Sequence, residues 1–137
     1  MAASPTAEPD YAGAAALREA IREFNDRSER LIREHGLTLE QYQLLLLLRV
    51  LPREEVTIGN LHQQLHRGQS AVTQLARRMQ NKGLIGRELS ESDARVRYLT
   101  LTKKGRRRLS EAVTALEGER SRLLGLLRGI SPNHRAS

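Results

Sequence analysis

The 137-residue chain has no cysteine and no tryptophan, one phenylalanine and three tyrosines. Without cysteine there is no disulfide, no thiol redox switch, no thiolate metal site and no cysteine nucleophile, which fits a reducing, cytoplasmic setting. With so few aromatics the core must be aliphatic, built from Leu, Val and Ile. The longest strongly apolar run is Leu44 to Leu48, far short of the ~20 residues a membrane helix needs. The N-terminus, MAASPTAEPD, has neither a basic n-region nor an apolar h-region and does not read as a secretory signal. A glycine-rich phosphate loop is also missing, and no serine has a histidine at a recognisable catalytic spacing. The histidines are His35, His62, His66 and His134. His62 and His66 stand four apart, but no carboxylate lies near them and no third ligand is in sight, so neither a metal nor a cofactor is expected. No residue set fills the roles of nucleophile, base and orienter, so the chain does not read as an enzyme.

What is present is positive charge, and it is unevenly placed. The net charge is +7. Residues 1–66 hold seven Arg/Lys and ten Asp/Glu, whereas residues 67–108 hold twelve and three, and residues 109–137 four and three. A 42-residue window therefore carries the excess, the footprint of a surface that meets a polyanion. A solvated basic face without a partner is the competing explanation.

Length is that of one domain. Residues 1–10, with Pro5 and Pro9, read as a disordered tail. Leu17, Ile21, Phe24, Leu31 and Ile32 recur at helical spacing over residues 11–35, and Gly36 is a C-cap signal. Thr38 opens a second helix through EQYQLLLLLRV that stops before Pro52. Its five consecutive leucines cannot share one stripe, so it is expected to be buried over most of its circumference. Thr57 caps a short third helix with Ile58, Leu61 and Leu65 inward. GQSAVTQLARRMQNKGLI is a fourth, ending at Lys82 and Gly83. Strand-like runs come next, at residues 85–90 and 96–101, joined by the polar turn SESDAR. Thr102 caps one long final helix with Leu109, Val113, Leu116, Leu123, Leu124 and Leu127 as its stripe, ended by Ser131 and Pro132. Gly118 and Gly125, seven apart, mark either close approach of another helix or a kinked end.

Helix, helix, helix, helix, β-ribbon, helix is a mostly α chain with a small β-ribbon, the winged helix-turn-helix order. The expected organisation is a tail (1–10), an N-terminal dimerisation helix (11–35), a winged-helix DNA-binding region (36–102), a C-terminal dimerisation helix (103–131) and a tail (132–137). The apolar stripes of the outer helices are economically covered by each other and by a second subunit.

On a helical wheel of the fourth helix, Val72, Leu75 and Met79 cluster on one side and Ser70, Thr73, Gln74 and Arg77 opposite. Short hydrogen-bonding side chains near the N-terminal end suit a helix that enters the major groove N-terminus first. A solvated amphipathic helix shows the same polarity. Gly68 takes the N-cap without a side-chain oxygen, which leaves amides for a phosphate. Core packing does not explain arginines at the tip of a hairpin, and a narrow, negative minor groove attracts them. Asp93 among them reads as a brace for a guanidinium, or as a residue that merely favours the bend. Lys103, Lys104, Arg106, Arg107 and Arg108 crowd the start of the last helix, where the dipole disfavours cations, which suggests a phosphate backbone nearby or simple screening by salt. Two further functions stay open on this basic face: nucleic-acid binding without sequence readout, and a helical adaptor for other proteins.

LHRGQSAVTQLARRMQNKGLI followed by SDARVRYLTLTKKG resembles the MarR family of bacterial winged-helix regulators. The resemblance is carried by the Asp-x-Arg, Leu-Thr-x-x-Gly pattern at Asp93, Arg95, Leu101, Thr102 and Gly105, and covers about residues 36–110. It implies a homodimeric repressor that binds a pseudo-palindromic site on double-stranded DNA. Arg67, Gln69, Ser70, Thr73, Gln74, Arg77, Arg78, Arg95 and Arg97 would form the DNA-binding set. Arg95 would enter the minor groove, and Asp93 would brace it or an arginine of the fourth helix such as Arg78. It also implies release by a small aromatic ligand, with Phe24, Tyr42 and His62 as candidate pocket residues. The second mode in such proteins, oxidant sensing through cysteine, is excluded here. The His66-Arg67 pair and Gly68 depart from the usual turn before the recognition helix.

Overall fold

The structure is a computed structural model that describes residues 8–130. Most of the expected N-terminal tail, the stop at Ser131 and Pro132, the tail at 132–137 and His134 lie outside the described residues. The elements are α1 (Tyr11–Glu34), α2 (Leu39–Val50), a 3-10 turn (Arg53–Glu55), α3 (Ile58–Gln64), α4 (Gln69–Asn81), β1 (Ile85–Leu89), β2 (Arg97–Leu101), α5 (Lys103–Ala115) and α6 (Glu117–Ile130). The four helices, two-stranded ribbon and subsequent helix appear in the order the sequence indicates. The described residues form two compact units: one from residues 8–28 together with 116–130, the other from residues 29–115.

The second unit contains most of the core. Leu44, Leu45, Leu61, Val72, Met79, Leu84 and Leu99 are almost completely buried, and Leu37, Val56, Ala76 and Ile85 are buried with them. α2 buries Gln41, Tyr42, Leu44 and Leu45, while Leu46, Leu47 and Leu48 are half-buried. That is the wide burial expected of a five-leucine run. Its start is a full capping box: the Thr38 hydroxyl accepts from the Gln41 amide at 3.2 Å, and Gln41 Oε1 accepts from the Thr38 amide at 3.1 Å. The Thr57 hydroxyl caps α3 by accepting from the Asn60 amide. Of the three α3 residues expected inward, Leu61 is fully buried and Ile58 and Leu65 are half-buried.

Both glycine stop signals act as read. Gly36 has φ +74° and Gly83 has φ +76°, the left-handed region that L side chains rarely adopt. At each, two backbone bonds close the helix end. The Leu37 and Gly36 amides donate to Ile32 and Arg33, and the Leu84 and Gly83 amides donate to Met79 and Gln80.

β1 and β2 are antiparallel, pairing Ile85 with Leu101, Arg87 with Leu99 and Leu89 with Arg97. Each strand is one residue shorter than expected. Leu99 is buried and donates its amide to the Val56 carbonyl at 2.9 Å, which fastens the ribbon root to the segment after α2.

Thr102 caps α5 as expected and also anchors it. Its hydroxyl accepts from the Gly105 amide at 3.0 Å and donates to the Gly83 carbonyl at 2.6 Å, and its amide donates to the Leu84 carbonyl. A methyl group on Gly105 would overlap that same carbonyl oxygen. Thr102 and Gly105 are thus the socket by which α5 sits on the end of α4.

The final helix is not one piece. α5 ends at Ala115, the chain turns at Leu116, and α6 begins at Glu117. Two physical reasons coincide there. Gly118 is a poor helix former, and Glu117 and Glu119 are acidic residues that favour a new N-terminus. Of the expected outer stripes, Ile32, Leu109 and Leu116 are buried, but Leu17, Ile21 and Leu124 remain 40%, 39% and 54% exposed. Within the first unit α1 and α6 meet through Arg27 with Glu119 at 3.7 Å and Arg122 with Glu23 at 3.8 Å.

Candidate nucleic-acid interface

α4 is amphipathic in the way the wheel describes. Val72, Leu75, Ala76 and Met79 are buried, and Gln69, Ser70, Gln74, Arg77 and Arg78 are exposed. Thr73 is half-buried, and its hydroxyl donates to the Gln69 carbonyl at 2.9 Å. Its proton is therefore engaged within the helix, and it can offer only acceptor capacity outward. Gly68 caps the helix with extended backbone and no side-chain bond.

The turn before α4 is built by the histidines. His66 has φ +53°, a left-handed residue that is not glycine. The His62 ring reaches the Arg67 carbonyl through Nδ1 at 3.3 Å. A carbonyl only accepts, so Nδ1 carries the proton in this contact. Both members of the i, i+4 pair thus have turn-building work. Among the described residues no group of three or more His, Asp or Glu could hold a metal ion.

Arg67 turns inward. Its guanidinium lies 2.6 Å from a carboxylate oxygen of Glu40 in the first turn of α2. Gln41, next along, accepts from Lys82 Nζ at 3.3 Å. The start of α2 therefore holds residues just beyond both ends of α4. Between them lies a cleft of about 340 Å³ lined by residues including Arg33, Arg67, Leu75 and Arg78.

In the ribbon turn Ser90 is buried and organises the bend. Its hydroxyl oxygen accepts from the amides of Ser92 and Asp93, each at 3.2 Å. Asp93 Oδ1 then accepts from the Arg95 amide at 3.0 Å and lies 3.4 Å from Arg95 Nε. Of the arginines the sequence leaves open as its partner, the structure selects Arg95. The Arg95 side chain is 92% exposed, so the pair is worth little as an ion pair. The backbone bond shapes the turn, and the side-chain contact biases the direction of the guanidinium. Arg97 and Arg87 are also exposed.

The cation cluster at the start of α5 has a partly structural explanation that the sequence does not show. Lys104 Nζ donates to the Lys82 carbonyl at 2.8 Å, and Arg108 donates to the His35 carbonyl at 3.1 Å. Both carbonyls lie at helix C-termini, where cations complement the dipole. Lys103, Arg106 and Arg107 remain exposed.

The candidate ligand-pocket residues belong to both units. Phe24 lines a small cleft in the first unit with Ala20, Leu123 and Leu126. In the second unit Tyr42 is buried, and His62 serves the α3–α4 turn. Sequence reasoning misses the role of Ser90 in the bend, and it misses the contacts of Gln41 with Lys82 and of Arg108 with His35, whose partners are fixed only by the fold. For Ser90 alone a local signal existed, the turn composition of SESDAR.

Residues 35–96 match the family model described as MarR family. A curated relative, the organic hydroperoxide resistance transcriptional regulator of Bacillus subtilis (strain 168), is 33% identical over 89 residues, or 65% of this chain and 59% of the relative. The chain thus spans about three fifths of that relative's length. Among solved structures, the S. aureus MepR–DNA complex superposes with a TM-score of 0.72 at 21% identity, covering 94% of this chain and 90% of that one. The M. tuberculosis transcriptional regulator MOSR in complex with DNA gives 0.64 at 25% identity, covering 82% and 80%. No helix among the described residues is long and apolar enough to cross a membrane.

Proposed function

We propose that this chain is a member of the MarR family, whose model matches residues 35–96, and that it is a cytoplasmic, sequence-specific DNA-binding transcriptional regulator. It acts as a homodimer on a pseudo-palindromic operator, as a repressor relieved by a small aromatic ligand. The observation that carries this reading is the pairing, within one compact unit, of an exposed Gln/Ser/Arg face on α4 with an exposed arginine ribbon. Neither face is used by the core. Gln69, Ser70, Gln74, Arg77 and Arg78 address base edges and phosphates in the major groove, and Arg95 and Arg97 lie in the minor groove. Thr73 contributes only as an acceptor. Arg67 reaches a phosphate only by leaving Glu40. The dimer is supported by Leu17, Ile21, Leu124 and Leu126, apolar residues left exposed on α1 and α6.

The test is to sequence the genomic fragments that the purified full chain retains and to compare the recovered site with a scrambled duplex. Preference for the recovered site by about a thousandfold is expected. Affinity is also expected to fall by about a thousandfold or more between about 50 and 200 mM salt, as neutralised phosphates recapture their counterions. Equal affinity for both duplexes would favour binding without sequence readout, and no binding at all would favour the adaptor reading.

A further inference from the structure

A two-stranded ribbon is marginal on its own and takes its orientation from what it is fastened to. The root of this one is held on one side by the buried Ile85 and Leu99. On the other side a single residue outside the ribbon reaches both strands. Arg53, the first residue of the 3-10 turn after α2, forms an ion pair with Glu88 of β1 and sets its guanidinium 5.6 Å from the ring centroid of Tyr98 of β2. Glu88 and Tyr98 are direct cross-strand partners. They lie between the Arg87–Leu99 pair, whose leucine is buried, and the last pair, Leu89 with Arg97.

We infer that Arg53 is a positioning residue for the wing, a clasp that fixes the direction in which the ribbon presents Arg95 and Arg97. The inference rests on the DNA-binding reading of the ribbon. Three features give the clasp its leverage. Arg53 is itself anchored, because Val56, three residues on, donates to the Arg53 carbonyl and accepts from Leu99. Arginine also suits the place chemically, since one planar group can pair with a carboxylate and lie against an aromatic ring. Finally, Arg95 is only three residues from Tyr98, in the turn just before β2, at most about 10 Å of chain away. A swing of the ribbon at that point therefore moves Arg95 by an appreciable part of the width of a minor groove. Each contact is partly exposed and individually weak. Their joint effect is on direction rather than on stability.

Two measurements on the full chain decide it. Limited trypsin cleavage after Arg95 and Arg97 reads ribbon freedom without DNA. Arg53→Ala is expected to speed it at least about threefold while the thermal midpoint stays within about 2 °C of wild type. Glu88→Gln, which keeps the size of the side chain, is expected to give part of that effect, and Arg53→Lys less than Arg53→Ala. Unchanged cleavage in Arg53→Ala and Glu88→Gln overturns the clasp. The second measurement is a double-mutant cycle on the recovered duplex. Arg53→Ala is expected to weaken binding about fivefold, and that loss is expected to vanish in the Arg95→Ala, Arg97→Ala background. A fivefold loss that persists there means that Arg53 touches DNA itself, and overturns the positioning role. If the wild-type chain binds no duplex, the functional reading fails, while the trypsin result still decides whether Arg53 orders the ribbon.

Discussion

Gly105→Ala is expected to destabilise the fold by about 2–3 kcal/mol, the upper part of the range for forcing an extra carbon into a packed site. The new methyl would overlap the Leu84 carbonyl oxygen, and that oxygen has nowhere to go. It accepts from the Thr102 amide, the Leu84 amide closes the end of α4 on Met79, and the Leu84 side chain is fully buried. Relief therefore requires α5 to lift away from α4, which would strain the Thr102 bond to Gly83 and the Lys104 bond to Lys82. The intrinsic gain of Ala over Gly in a helix, about 1 kcal/mol, opposes the loss without cancelling it. Urea unfolding checks this: the midpoint is expected to drop by about 1 M at an unchanged slope. Gly118→Ala is the internal control, because a methyl there meets nothing within 4 Å. A midpoint for Gly105→Ala equal to that of the control would remove the socket from the account of this motif.

Arg95→Ala is expected to weaken operator binding by about 30-fold, roughly 2 kcal/mol, in the range of a well-placed specific contact. The fold is expected to be untouched, since the side chain is 92% exposed and its one partner, Asp93, is itself half-buried in a turn that Ser90 already orders. An arginine in a narrow minor groove reads shape rather than a base edge. The loss is therefore expected to be larger on a duplex whose flanks are A·T-rich than on a G·C-rich one. Binding isotherms on the two duplexes, with circular dichroism as the folding control, provide the measurement. An affinity equal to wild type would take the ribbon out of the interface and leave α4 alone.

Much of the winged helix was legible because its signals are local. Thr38, Thr57 and Thr102 cap the helices after them, and Gly36 and Gly83 end the helices before them. Each depends on backbone only a few residues away. The alternation in residues 96–101 was equally local. The tertiary contacts were not legible. Arg108 caps a carbonyl 73 positions away and Lys82 meets an amide 41 positions away, and no spacing rule encodes such partners. For that reason the Lys103-to-Arg108 cluster read only as a phosphate-facing or salt-screened surface, although two of its five cations serve helix ends. Nothing local shows Glu40 beside Arg67, so their ion pair was not legible either. The identity of the Asp93 partner was open in the sequence because two geometries fit the same residues. The backbone bend set by Ser90 brings Arg95 rather than α4 to the carboxylate. The break at Leu116 had a signal, Gly118, whose reading as a kink or as a helix contact only the backbone could decide.

α6 has no fully buried residue among its fourteen, and among the described residues of the first unit only Ala20, Ser28 and Leu116 are buried. A segment of that kind has no reserve of its own. A lone helix of this length is marginal in water, and its ion pairs with α1 are long. On the homodimer reading, its persistence is set by mass action. Dilution is then expected to act on it like a denaturant: lowering the protein from about 50 μM to about 0.5 μM would melt α1 and α6 at a lower temperature while the winged-helix unit keeps its own midpoint. A two-step melt whose first step moves with concentration, tracked by circular dichroism, is the expected record. A single step independent of concentration would count against a second subunit as the source of that stability.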